Sequence, residues 1–150
     1  MQAQILETLL EVKKELNAAI LLITHDLGVV ASMADRVQVM YAGSIVESGS
    51  VDDIYYRTRM PYTSGLLGAI PSLTGDGHKL NQIKGSTPSL IRLRPGCPFS
   101  NRCPLVADQC LAQEPPLGPT DGDGHSAACH RWRELVGKDG RLLFREETPV

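Results

Sequence analysis

Residues 18–26 read Ala18-Ala19-Ile20-Leu21-Leu22-Ile23-Thr24-His25-Asp26, six apolar residues without a break followed by three polar ones. A short continuous apolar run of this shape predicts a strand buried on both faces, as in a parallel sheet. In an open α/β sheet, ligands bind beyond the carboxyl ends of the strands, which makes His25 a candidate functional residue by position. Position alone is a weak signal, because a lone histidine after a strand is more often structural than catalytic.

Upstream of this run, Ile5, Leu6, Leu9, Leu10, Val12 and Leu16 recur at helical spacing between charged residues, and predict an amphipathic helix over Gln2 to Leu16 that Asn17 breaks. Downstream, Asp26 is placed to cap a second helix over Leu27 to Ala34. Val37, Val39 and Tyr41 then alternate with Gln38 and Met40, and the Ala42-Gly43 turn leads into Ser44 to Glu47, which reads as a β-hairpin. Ser50 is a cap for a helix over Val51 to Arg59 whose first turn carries Asp52 and Asp53, and Pro61 suits the start of another over Tyr62 to Ala69.

The character of the chain changes at Pro71. Leu73 to Pro88 has little periodicity and reads as a connector, Pro95 to Trp132 is rich in Pro, Gly and Cys with few large apolar residues, and Gly137 to Val150 reads as a frayed tail. The expected organisation is residues 1–60 as an α/β core, 61–94 as a helix and connector, 95–133 as a Cys-rich domain and 134–150 as a tail.

Charge and hydropathy exclude several classes. A net charge of −2 with scattered Lys and Arg gives no footprint for nucleic acid. The six-residue apolar run falls far short of the roughly 20 residues of a membrane-spanning helix. The first residues lack the basic and apolar regions of a signal peptide, so the chain reads as cytosolic.

All four cysteines, Cys97, Cys103, Cys110 and Cys129, fall in the second half. In a reducing compartment such clustering favours metal ligation over disulfides, and a segment poor in core residues needs a staple. The Cys-x5-Cys-x6-Cys-x18-Cys spacing matches neither a zinc finger nor a two-cluster ferredoxin. Gaps wider than Cys-x2-Cys lean toward a centre larger than one zinc ion, but spacing leaves zinc, an iron–sulfur cluster, disulfides and free thiols open. His125 and His130 are spare ligands for a Cys3His zinc site, and otherwise groups behind the ligands or on the surface.

Leu21 to Val30, then Ala34-Asp35-Arg36-Val37, Met40-Tyr41-Ala42-Gly43 and Ile45-Val46-Glu47-Ser48-Gly49, resemble in order and spacing the end of an ABC-transporter ATPase domain. Met60 to Pro71 resembles the segment that follows this core in the oligopeptide and dipeptide importer branch. The resemblance implies that His25 is the switch histidine, which reaches the γ-phosphate of ATP and positions the attacking water. It implies a peripheral protein on the inner face of the cell membrane, working with a second ATP-binding subunit, membrane-spanning permease subunits and, indirectly, an extracytoplasmic peptide-binding protein. For the four cysteines it implies a [4Fe-4S] cluster, with zinc as the alternative and a structural role ahead of electron transfer. Arg102, Arg131 and Arg133 are then candidate donors to cluster sulfurs, with Trp132 as a shield.

The fold class expected is therefore α/β: a partial ABC-type ATPase core of helix, buried strand and hairpin, followed by an irregular metal-stapled Cys-rich domain. The sequence has no Gly-x-x-x-x-Gly-Lys-Ser/Thr loop, and the signature and Walker B motifs are likewise missing. ATP and magnesium belong to a longer subunit, and this chain by itself is expected to be inactive as an ATPase. Two rival readings are a metal-binding regulatory or interaction module and a redox protein.

Overall fold

A computed structural model of the chain describes residues 2–70, 82–89, 91, 95–138 and 143–144. Most of the expected connector and tail lies outside the described residues. The chain divides into two compact units, Met1–Asp35 and Arg36–Val150.

The first unit holds helices α1 (Gln2–Glu15) and α2 (Leu27–Met33). The Asp26 carboxylate caps α2, accepting hydrogen bonds from the backbone N–H groups of Gly28 (2.9 Å) and Val29 (3.1 Å). Between the helices, Ala18 to Ile23 is irregular and exposed, with Leu21 and Ile23 89% and 90% accessible. The buried strand expected there is thus corrected. A strand exists only when neighbours pair its backbone, and none of the described residues 4–35 is buried. So short a segment cannot enclose a core of its own.

In the second unit, β1 (Arg36–Tyr41) and β2 (Ser44–Ser50) form the expected hairpin. Val37, Val39 and Tyr41 alternate inward, and the two-residue turn has positive φ at both Ala42 (50°) and Gly43 (83°), the requirement of a type I′ turn. A register shift between Val39 and Met40 leaves Val46 of β2 as the extra residue of a β-bulge. Ser50 ends β2 and caps α3 (Val51–Tyr56) in a capping box, exchanging hydrogen bonds with Asp53. Such a cap contributes about 1 kcal/mol. Helix α4 (Pro61–Gly68) follows.

The Cys-rich segment holds one short α-helix, α5 (Asp108–Ala112), and two two-residue strands, β3 (Gly118–Pro119) and β4 (Ser126–Ala127). Strand β4 pairs with β2, giving an antiparallel sheet of order β1-β2-β4-β3. The parallel arrangement inferred from the apolar run is replaced by an all-antiparallel one. The segment also lends large side chains to a shared core. Phe99 and Leu135 are each 1% exposed, and Phe99 meets Tyr41 (5.3 Å between ring centroids) and Tyr62 (5.4 Å) in a three-ring cluster. Offset and tilted ring pairs of this kind add about 1 kcal/mol each beyond the area they bury.

Beneath the sheet lies a buried polar network. Glu47 on β2 is fully inaccessible, and its carboxylate accepts from the Thr58 hydroxyl (2.9 Å) and the Arg59 backbone N–H (2.5 Å), and meets the His125 ring Nε2 (2.9 Å). His125, 1% exposed, sits in the β3–β4 loop with its Nδ1 3.9 Å from Asp53. Arg59 grips Asp121 of the same loop through two hydrogen bonds, at 2.8 and 2.9 Å. Burial works to raise the Asp53 pKa, yet hydrogen bonds from Ser50 and Arg57 hold it below the usual range.

Candidate functional site

Cys97, Cys103, Cys110 and Cys129 line one small cavity, together with Met60 and Pro61 from the start of α4 and with His130 and Arg131. The segment reaches this arrangement through turns. Gly96 has φ +90°, and a Cβ there would lie 2.5 Å from the carbonyl oxygens of Cys110 and Leu111, so only glycine lets the two strands of the loop approach. That approach allows the Cys97 N–H to donate to the Cys110 carbonyl at 2.7 Å. The turn bonds Ser100 N to Cys97 O (2.9 Å) and Cys110 N to Ala107 O (2.8 Å) then direct the thiols of this loop inward. Cys129 arrives from the other side, two residues beyond β4.

Arg131 fastens the two sides. Its Nη1 donates to the Leu105 carbonyl at 3.0 Å, between Cys103 and Cys110, and Glu134 holds the rest of the guanidinium through Nε and Nη2. His130 turns its Nε2 to the Gln113 carbonyl (2.9 Å). A larger cavity of about 370 Å³, walled by Tyr41, Val46, Phe99, Pro115 and Leu117 among others, shares Cys97 and Met60 with the cysteine cavity.

All four cysteines are free thiols. Burial pushes the Cys129 thiol up to about 12 and Cys103 to about 11, and it raises Cys97 as well. Backbone groups near each sulfur oppose the shift, while the other thiols in the cavity reinforce it, since each nearby thiolate disfavours another. The thiols therefore share one low-dielectric space. The cavity holds only about 10 Å³, room for roughly one water molecule. Among the described residues, no group of three or more His, Cys, Asp and Glu side chains is placed to hold a metal ion. The four thiols line one cavity without that arrangement.

The remaining sequence candidates are distributed elsewhere. His25 is exposed in the bend before α2, between Thr24, whose hydroxyl accepts from Asp26 N–H (3.0 Å), and the capping Asp26. Arg102 reaches the carbonyls of Ile83 (3.1 Å) and Lys84 (3.0 Å) and so pins the connector. Arg133 stacks on Trp132, 4.4 Å from the ring centroid, and neither residue lines the cysteine cavity. His125 is neither on the surface nor on the cavity, because Glu47 holds it. Glu47, Asp53, Arg59 and Asp121 form a network that the sequence does not announce. The only local signal was the Asp53/Arg57 pair at helical i, i+4 spacing, whose ion pair is 2.8 Å.

A family profile described as oligopeptide/dipeptide transporter, C-terminal region, matches residues 46–110. The chain is 51% identical over 148 residues, 98% of its length, to the oligopeptide transport ATP-binding protein OppD of Mycobacterium tuberculosis, and covers 24% of that protein. It is 47% identical over 133 residues to the oligopeptide transport ATP-binding protein AppD of Bacillus subtilis, covering 89% of this chain and 40% of that one. Against the dipeptide transport ATP-binding protein DppD of the same organism the identity is 52% over 131 residues, covering 85% and 38%. The chain thus spans between about a quarter and two fifths of the length of these relatives.

The thiol shifts give a pH prediction for the metal-free, reduced chain. A thiol whose pKa is raised in the folded state stays protonated while its unfolded counterpart ionises, so the stabilisation is complete below about pH 9 and is lost as the pH rises toward the folded values of about 11 and 12. Denaturation midpoints measured by circular dichroism should hold steady to about pH 9 and fall above it, with alkylation of Cys103 and Cys129 accelerating over the same interval. Over 98% of its length the chain is thus similar to part of an oligopeptide transport ATP-binding protein, and its residues 46–110 match the C-terminal region of oligopeptide/dipeptide transporters.

Proposed function

We propose that the chain is the C-terminal part of an ATP-binding subunit that powers oligopeptide or dipeptide import, at the inner face of the cell membrane. The observation that carries this reading is the alignment of nearly the whole chain with peptide-transport ATP-binding proteins at about half identity. Among the described residues no helix is long and apolar enough to cross a membrane, so membrane-spanning permease subunits would supply the path. A second ATP-binding subunit and an extracytoplasmic peptide-binding protein would complete the transporter. Nucleic acid has no place in this scheme.

His25 is assigned as the switch histidine. Its accessible position in the bend after Ile23, with Asp26 already committed to the α2 cap, leaves its ring free to reach a phosphoryl oxygen when the nucleotide-binding motifs are supplied. The exposed apolar run Ala18 to Ile23 would then pair with strands that carry those motifs. In a subunit that carries those motifs, His25→Ala should lower ATP hydrolysis and peptide uptake by about 10²-fold or more, with ATP binding retained. Hydrolysis at the unaltered rate would remove the assignment. The chain by itself should not hydrolyse ATP.

A second reading concerns the cysteines, and the convergence of four thiols on one cavity favours it. They are proposed to hold a [4Fe-4S] cluster with a structural role. Four thiolates are the donor set such a cluster takes, and zinc is the alternative. Loading would widen the cavity and lower the thiol pKa values, since the metal takes the thiolate form. After anaerobic purification, the chain should absorb broadly near 400 nm and contain iron and sulfide in equal amounts, both lost on replacing Cys97 or Cys129 by Ser. Zinc alone, or no metal, would overturn this reading while leaving the transporter assignment standing.

A further inference from the structure

Strand β4 is the only strand of the Cys-rich segment that touches the hairpin, and it has two residues. It pairs with β2 at two positions, Glu47 with Ala127 and Ser48 with Ser126, and one further backbone bond runs from Ala128 N to Val46 O at 2.8 Å. So short a ladder specifies its register weakly. A slip of one residue moves the strand about 3.3 Å and turns every side chain to the opposite face. Cys129 lies two residues beyond β4, so any such slip would carry its thiol away from the cavity that Cys97, Cys103 and Cys110 share with it.

Register must therefore come from side chains, and Glu47 supplies it. The residue that pairs with Ala127 in the ladder is the one whose carboxylate takes the His125 ring, at 2.9 Å. Both groups are buried to within 1% of completely. The ring is itself fixed by its backbone: His125 N donates to the Gly122 carbonyl (3.2 Å), and its carbonyl accepts from Thr120 N (2.9 Å) and the Thr120 hydroxyl (3.1 Å). Around it stand Asp53 on α3 and, in its own loop, Asp121, which Arg59 holds. A buried carboxylate deprived of its partner is costly, so every slipped register is penalised at this one place.

We propose that His125 is a positioning residue for the cysteine site: its contact with Glu47 fixes β4 on β2 and so sets where Cys129 stands relative to Cys97, Cys103 and Cys110. The inference rests on the cysteine reading only in treating the four thiols as one site. It does not require that the site hold iron.

The test is site-resolved alkylation of the full, reduced and metal-free chain by iodoacetamide, read by mass spectrometry for each cysteine. His125→Ala should label Cys129 at least about tenfold faster than the unaltered chain, with Cys97 and Cys110 changing less than about twofold. His125→Gln, whose side-chain amide can still donate to Glu47, should restore Cys129 to within about threefold. An unchanged Cys129 rate in His125→Ala overturns the proposal. If His125→Ala exposes all four thiols together, His125→Gln decides: protection of Cys129 regained supports positioning through the Glu47 contact, and protection still lost contradicts it. A chain that never binds iron leaves these rates measurable, so failure of the cluster reading is distinguishable from failure of this one.

Discussion

The Glu47 carboxylate is a charge-bearing group with no access to water, and the surroundings of the second unit are arranged to satisfy it. Thr58 and Arg59 reach it from the segment after α3, and His125 reaches it from the Cys-rich segment, 78 residues along the chain. A carboxyl group in such a place is tolerated only when its hydrogen-bonding capacity is filled, and leaving it without a partner is costly. The hairpin and the Cys-rich segment are therefore joined at this point. The aromatic cluster of Tyr41, Tyr62 and Phe99 joins the same two segments through apolar contact. One junction supplies specificity of register and the other supplies apolar contact.

This construction explains why a segment rich in Pro, Gly and Cys can be ordered although it has few large apolar residues. Its Phe99, and Leu135 just beyond it, enter a core whose other members include Ile54 of α3, Met60, and Leu67 of α4. The cysteines are then carried by turns whose backbone geometry is fixed locally, as at Gly96, and by a strand whose position is fixed remotely, at Glu47. Arg131 closes the arrangement by tying the Cys129 side to the Leu105 carbonyl. A centre bound by all four thiols would add a further link between parts that are already joined, which fits a structural role for it.

Local signals were legible in the sequence wherever a residue acts on its near neighbours. The Asp26 and Ser50 caps, the alternation of Val37, Val39 and Tyr41, and the Ala42-Gly43 turn all follow from side-chain or backbone chemistry within four residues and lie where that chemistry puts them, although the helix that Ser50 starts ends at Tyr56 and not at Arg59. The apolar run Ala18 to Ile23 misled because its pattern describes the environment a strand needs, not one that residues 4–35 provide. Strands β3 and β4 were invisible, since two residues carry no periodicity. His125 was read as a spare ligand because a histidine near cysteines suggests metal, and nothing local to it reveals a glutamate far up the chain. The four cysteines, clustered in the sequence, line one cavity, and their spacing carries no signal for what that cavity binds.

The central claim is that hairpin and Cys-rich segment form one cooperative structure joined at Glu47 and Phe99. Native-state hydrogen exchange on the full chain tests it most directly, through the amides of Val39 and Glu47 on the hairpin and of Cys97 and Ala128 in the Cys-rich segment. The account predicts that these amides exchange through a common opening with closely similar free energies, which fall in parallel as denaturant is added. Exchange of Cys97 and Ala128 orders of magnitude faster than the hairpin amides, with a separate denaturant dependence, would contradict it.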